Sequence, residues 1–99
     1  MKVTNKIQGV YLLHFSRPYK GARHYIGYSD DIYARFQTHI SGRGNPLVKA
    51  CVDSGIVVTL VRVWQGADHT FERKLKNRKN SQALCPCCNE WHSESSPDH

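Results

Sequence analysis

At 99 residues, with 39% apolar and 10% aromatic side chains, the chain has room for one compact core and not for two. No stretch approaches the roughly 20 consecutive apolar residues of a bilayer span, and the start, MKVTNK, lacks the apolar core of a secretory leader. A soluble, cytoplasmic protein is therefore expected. Lys and Arg number 14 against 8 Asp and Glu, a formal net charge of +6, which favours a polyanionic partner, nucleic acid first.

Residues 9–15 (GVYLLHF) and 23–28 (RHYIGY) are β-branched, aromatic and aliphatic and read as two strands. Pro18 and Gly21 mark the connector SRPYKGA as a hairpin turn region. In such a ribbon alternate side chains share a face, so Tyr11 and Tyr25 can project to one side if the register permits. Ser29, Asp30 and Asp31 then supply a cap, and Ile32, Arg35, Phe36 and His39 recur at helical spacing as one stripe. Gly42 and Gly44 end that helix. Asn45 and Pro46 start a second, with a cap and an N1 proline, running to Gly55 with Cys51 as a packed core thiol.

Residues 56–64 (IVVTLVRVW) form the strongest strand signal, expected in the middle of the sheet or on its covered side. Asp68 caps a third helix in which Phe71 and Leu75 make an i, i+4 apolar pair beside Glu72. From Asn77 onward the pattern weakens. The expected fold is α+β, a small three-stranded, mainly antiparallel sheet flanked by helices. One domain over residues 1–92 is expected, followed by a disordered polar tail over 93–99 that has no apolar anchor.

The tripeptides Gly9-Val10-Tyr11 and Tyr25-Ile26-Gly27, followed by a capped helix carrying Arg35 and His39 and a later helix opening with Glu72, resemble the GIY-YIG nuclease superfamily in its small, stand-alone form. The resemblance runs over roughly residues 8 to 89 and implies a metal-dependent endonuclease that hydrolyses DNA phosphodiesters. Each of the five side chains also has an ordinary structural explanation when taken singly. Their chemistry suits the implied reaction, because in-line attack of water on a phosphodiester is mostly electrostatic work. Arg35 can clamp phosphate oxygens in two places. Glu72 is the expected metal ligand, since a single carboxylate leaves Mg²⁺ or Mn²⁺ with waters and open positions.

By the same resemblance Tyr11 stands near the attacking water as general base, His39 assists it, and Tyr25 orients water or phosphate. Phenol ionises near pH 10, so Tyr11 needs such help. The family's C-terminal asparagine matches Asn80 in preference to Asn77. The two tripeptides are separated by thirteen residues, more than is usual in the family, which implies a longer hairpin tip. Arg17, Lys20 and Arg23 near that tip, and Arg73, Lys76 and Lys79 in the basic run of the third helix, are the expected DNA-backbone contacts.

Cys85, Cys87 and Cys88 crowd into four residues. A Cys-x₂-Cys pair, with His92 and Cys51 as further candidates, raises a structural Zn²⁺, but no second pair sits at a familiar spacing, so partly buried free thiols are preferred. With no room for an added recognition domain, the chain is expected to act on exposed DNA structures, to form a homodimer or to borrow a protein partner for specificity, and the family suggests a repair-type or restriction-type role. The competing reading is a non-catalytic nucleic-acid-binding module, zinc-stabilised in one version. RNA as substrate is not distinguished from DNA.

Overall fold

The computed structural model describes residues 6–78 and 84–86. The element order is β1 (Gly9–Tyr19), β2 (Ala22–Ser29), α1 (Ile32–Ile40), α2 (Pro46–Asp53), β3 (Val58–Gln65) and α3 (His69–Arg78). The strands form one antiparallel sheet in the order β2-β1-β3, which is the α+β architecture expected from the sequence.

The helices start where the sequence supplies acceptors for their orphan N–H groups. The Asp31 carboxylate accepts from the Ala34 amide at 3.2 Å. The Asn45 side chain accepts from Leu47 at 2.8 Å, and Asp68 accepts from Phe71 at 3.0 Å.

Both faces of the sheet are covered. Tyr11, Leu13 and Phe15 of β1 point one way and meet Ile32, Val48, Cys51, Ile56 and Val58, with Tyr25, Phe36, Leu60 and Val63 packed beside them. Val10 and Leu12 point the other way and meet Ile26, Leu75 and Cys85, with Phe71 and Trp64 alongside. Leu12 and Leu13 are each 0% exposed, so truncating either to alanine would cost about 2 to 5 kcal/mol. Cys51 is fully buried, as expected of a core thiol, and burial pushes its ionisation upward.

Two sequence expectations are corrected. First, the hairpin turns at Gly21 as expected but its tip is not lengthened, because most of the connector SRPYKGA is strand. Ser16, Arg17, Pro18 and Tyr19 continue β1, and the tip is a two-residue turn at Lys20 (φ 49°) and Gly21 (φ 88°) between the paired Tyr19 and Ala22. Positive φ at both central residues is the hairpin geometry that matches the twist of the flanking strands. The extra residues between the tripeptides are absorbed by a bulge, because residues 15–18 stand opposite Arg23 alone, and Pro18 sits there without breaking a ladder. The longer tip is therefore replaced by a kinked strand.

Second, β3 lies at an edge and β1 in the middle. Ile56 and Val57 precede β3, which begins at Val58. A bulge falls where the register steps from Leu12↔Arg62 to Leu13↔Leu60. It lets Leu60 and Val63, three residues apart, share one face while Val61 and Trp64 take the other. The strand reads as central because it is apolar on both faces.

Candidate active site

Pairing of Tyr11 with Gly27 and of Leu13 with Tyr25 fixes both tyrosines on the α1 side of the sheet. Their rings lie 6.3 Å apart between centroids, and the His39 ring is 5.9 Å from Tyr11 and 5.5 Å, edge-on, from Tyr25. The Tyr11 ring crosses directly over Gly27. A Cβ added there would sit 2.6 Å from Tyr11 Cζ, so the glycine of the second tripeptide exists to let the tyrosine of the first lie flat across the strand.

Tyr11 is 1% exposed and its hydroxyl meets His39 Nε2 at 2.8 Å. His39 is 2% exposed and stands on the last turn of α1. Its ring is backed by Gly44, where any Cβ would collide with Nδ1. That Nδ1 is buried and has no hydrogen-bond partner among the described residues. A bare acceptor is less costly to bury than a bare N–H. The resting proton therefore belongs on Nε2, which donates to the Tyr11 oxygen.

The electrostatics agree with a neutral pair. Burial, then the Arg35 charge, lowers the His39 pKa from its ordinary value. Burial, then the neighbouring Tyr25, raises that of Tyr11, while the Arg35 guanidinium pulls it back as a charge and as a hydrogen-bond donor. Glu72 adds a smaller upward push on Tyr11, which sets its carboxylate within electrostatic range of the phenol.

Arg35, exposed on α1, forms the ridge between two grooves. One, of about 340 Å³, is lined by Tyr25, Thr38, His39, Arg43 and Asn45. The other, of about 530 Å³, is lined by Tyr28, Ser29, Asp31, Thr38 and His69. Glu72 lies in the first turn of α3 with its side chain 16% exposed. One carboxylate oxygen meets His69 Nδ1 at 3.1 Å and the other meets Lys76 Nζ at 3.1 Å, and Lys76 in turn stands 5.7 Å from the Tyr25 ring centroid. Both partners are more exposed than the carboxylate, and such i, i+3 and i, i+4 contacts hold it by only a few tenths of a kcal/mol. A divalent cation would displace them readily, and a lone carboxylate among waters is the oxygen-rich donor set that Mg²⁺ or Mn²⁺ takes.

Tyr11, Tyr25, Arg35, His39 and Glu72 thus come together from four elements. Arg73 and Lys76 lie on exposed α3 surface beside them. Arg17 and Lys20 do not join the group. Arg17 is about 20 Å along β1 from Tyr11 at the rise of a strand and donates to the Ser54 carbonyl at 2.9 Å. Lys20 sits on the turn beside Tyr19, and Arg23 is exposed near the tip. Lys79 and Asn80 lie outside the described residues, as do Cys87, Cys88, His92 and the tail over 93–99.

Sequence reasoning missed His69, Arg43 and Thr38 at the grooves. His69 had a signal, since it precedes Glu72 by three positions on one helix face. It also missed a second cluster on the opposite face of the sheet, formed by His14, His24 and Cys85.

The chain matches the family described as GIY-YIG catalytic domain over residues 7–84. No curated protein and no solved structure gives a match. Among the described residues no helix is long and apolar enough to cross a membrane.

Proposed function

Because the chain belongs to the GIY-YIG nuclease family, we propose that it is an endonuclease that hydrolyses DNA phosphodiesters with one Mg²⁺ or Mn²⁺ held at Glu72. The observation that carries this reading is the buried Tyr11–His39 contact at 2.8 Å, whose histidine lines the groove beside Arg35. When bound, the cation supplies charge to the phosphate oxygens and acidity to the attacking water.

The chain's own residues do the rest. Tyr11 acts as base in the fraction that has released its phenolic proton to solvent, and the two donors around its oxygen, His39 Nε2–H and the Arg35 guanidinium, enlarge that fraction against the burial that otherwise holds the proton on. The water gives its proton to the Tyr11 oxygen as its own oxygen attacks phosphorus. The bond to the leaving oxygen then breaks on the far side, and that oxygen takes a proton from solvent in the open groove. Arg35 holds the non-bridging oxygens where negative charge gathers. Tyr25 orients the water or the phosphate through its hydroxyl, and Asn80, outside the described residues, is a further candidate by its place in the sequence. Arg73, Lys76, Lys79 and the newly found Arg43 bind flanking phosphates, while Arg17, Lys20 and Arg23 reach a more distant stretch of backbone. A second copy or a protein partner supplies target choice.

The test is incubation of the purified protein with plasmid, branched and single-stranded DNA, with and without Mg²⁺. Folded Glu72→Gln and Arg35→Ala variants run beside it. Metal-dependent nicking by the parent, lowered at least about 100-fold in each variant, is the expected result. Binding without nicking by the parent would replace the proposal with a non-catalytic binding module.

A further inference from the structure

On the sheet face away from Tyr11, three chemically matched side chains converge from three parts of the chain. His14 stands on β1, and its partner across the ladder is His24 on β2. Cys85 comes from the segment 84–86 and is 0% exposed. His14 Nδ1 is 3.5 Å from His24 Nε2 and 3.4 Å from Cys85 Sγ. The potential ligand atoms of all three lie within 4.8 Å of one another.

The 3.5 Å nitrogen–nitrogen spacing is long for a hydrogen bond, while 3.4 Å suits one between nitrogen and sulfur. Both also lie within about 0.2 Å of the edges of a metal tetrahedron. Zn–N bonds of about 2.05 Å and Zn–S bonds of about 2.3 Å at tetrahedral angles place N···N at about 3.3 Å and N···S at about 3.6 Å. The cysteine is also positioned independently of its histidine neighbours. Arg62, stacked 4.8 Å from the Trp64 ring centroid, donates to the Leu84 carbonyl at 3.1 Å, which fixes the backbone next to Cys85.

We propose that His14, His24 and Cys85 bind one zinc ion that fastens the segment 84–86 to the β1–β2 hairpin. Two imidazoles and a thiolate form a borderline-soft donor set, suited to Zn²⁺ and poorly suited to the hard, oxygen-seeking Mg²⁺. Binding converts the Cys85 thiol to a metal-bound thiolate and releases its proton to solvent. The fourth position is open to water or another side chain. Cys88 stands at Cys-x₂-Cys spacing from Cys85 in the sequence and lies outside the described residues, so the proposal stands on the three ligands named. This site supplies the second pair of ligands that the sequence spacing lacked, since β-pairing brings together two histidines separated by the hairpin.

The intact chain, stripped with a chelator, is titrated with Co²⁺ and then Zn²⁺ in the absence of Mg²⁺ and DNA. The expected result is a sulfur-to-cobalt charge-transfer band with intense tetrahedral visible bands, saturating at about one ion per chain and bleached by zinc. Cys85→Ser abolishes the charge-transfer band, and His24→Gln weakens cobalt affinity at least about tenfold. Cys51→Ala and Glu72→Gln keep the parent's spectrum, which separates this centre from the catalytic one. The parent's melting temperature falls on chelation and returns with zinc but not with magnesium. Absence of the charge-transfer band in the parent overturns the proposal even if Cys85→Ser fails to fold. So does a His24→Gln protein that binds like the parent, or a melting temperature indifferent to zinc.

Discussion

Gly27 and His39 carry the sharpest consequences for single side chains. A methyl at Gly27 would lie against the Tyr11 hydroxyl and ring carbon, and the ring, buried among aliphatic neighbours, cannot swing away freely. Gly27→Ala is expected to cost about 1 to 3 kcal/mol in a urea-unfolding series through overpacking. It is also expected to lower DNA cleavage about 100-fold through misplacement of the phenol. His39→Leu removes the donor to the Tyr11 oxygen and should slow cleavage about 100-fold or more, whereas His39→Gln, which can still donate, should recover part of the loss.

His39 also gives a pH signature whose sign follows from its surroundings. Tyr11 on β1, Tyr25 on β2 and Arg35 on α1 face the imidazole. Burial and then Arg35 hold its folded pKa below 6.5. Above about pH 6.5 the ring is neutral folded or unfolded, and this part of the stability is fully present. As the pH falls below that value the unfolded chain takes up a proton that the folded chain refuses, and stability declines. Urea midpoints measured from about pH 8 to pH 5 should therefore drop on the acid side, and less steeply in His39→Gln.

At the scale of elements, α3 depends on its cap. Asp68 accepts from the Phe71 amide, and the first turn it secures carries Glu72. Asp68→Ala should lower stability by about 1 kcal/mol. It should also raise the Mg²⁺ concentration needed for half-maximal cleavage, because a frayed turn holds its carboxylate less firmly. An unchanged metal requirement in a folded variant would mean that Glu72 is positioned by its packing alone.

The elements were largely legible in the sequence because caps and periodicity are local. Asp31, Asn45 and Asp68 each announce a helix, and the run of β-branched, aromatic and aliphatic residues in GVYLLHF announces a buried strand. The edge position of β3 was not legible, since hydropathy reports which faces are covered and β3 is covered on both. The bulge at 15–18 was hidden because Pro18 and Gly21 look the same in a loop as in an irregular strand ending in a tight turn. The five candidate catalytic residues were found through the family pattern, and their spacing gave no distances. His14, His24 and Cys85 escaped because their proximity depends on strand register and on a contact spanning 71 positions.

For the whole molecule, the net charge of +6 and the exposed basic side chains beside the grooves imply an affinity for DNA that falls steeply with salt. Replacing Arg73 with Gln should weaken binding to duplexes of unrelated sequence alike. The slope of log affinity against log salt should fall by about 1. A slope equal to the parent's would remove Arg73 from the phosphate contacts and leave Arg43, which lines the smaller groove with Arg35, as the contact to test.

Central strand β1 serves two masters, presenting Tyr11 to one side and His14 to the other. Sliding it by a single position would exchange those sides and abolish both arrangements at once. The irregularity at residues 15–18 lies beyond both of them, toward the tip, and works as an expansion joint. Length inserted there changes the outline of the hairpin and leaves the phase of the inner strand untouched, while one residue added between Tyr11 and His14 scrambles it. A library of single-residue insertions along β1 should show tolerance rising abruptly after Phe15, the last residue whose buried side chain depends on the phase of the strand.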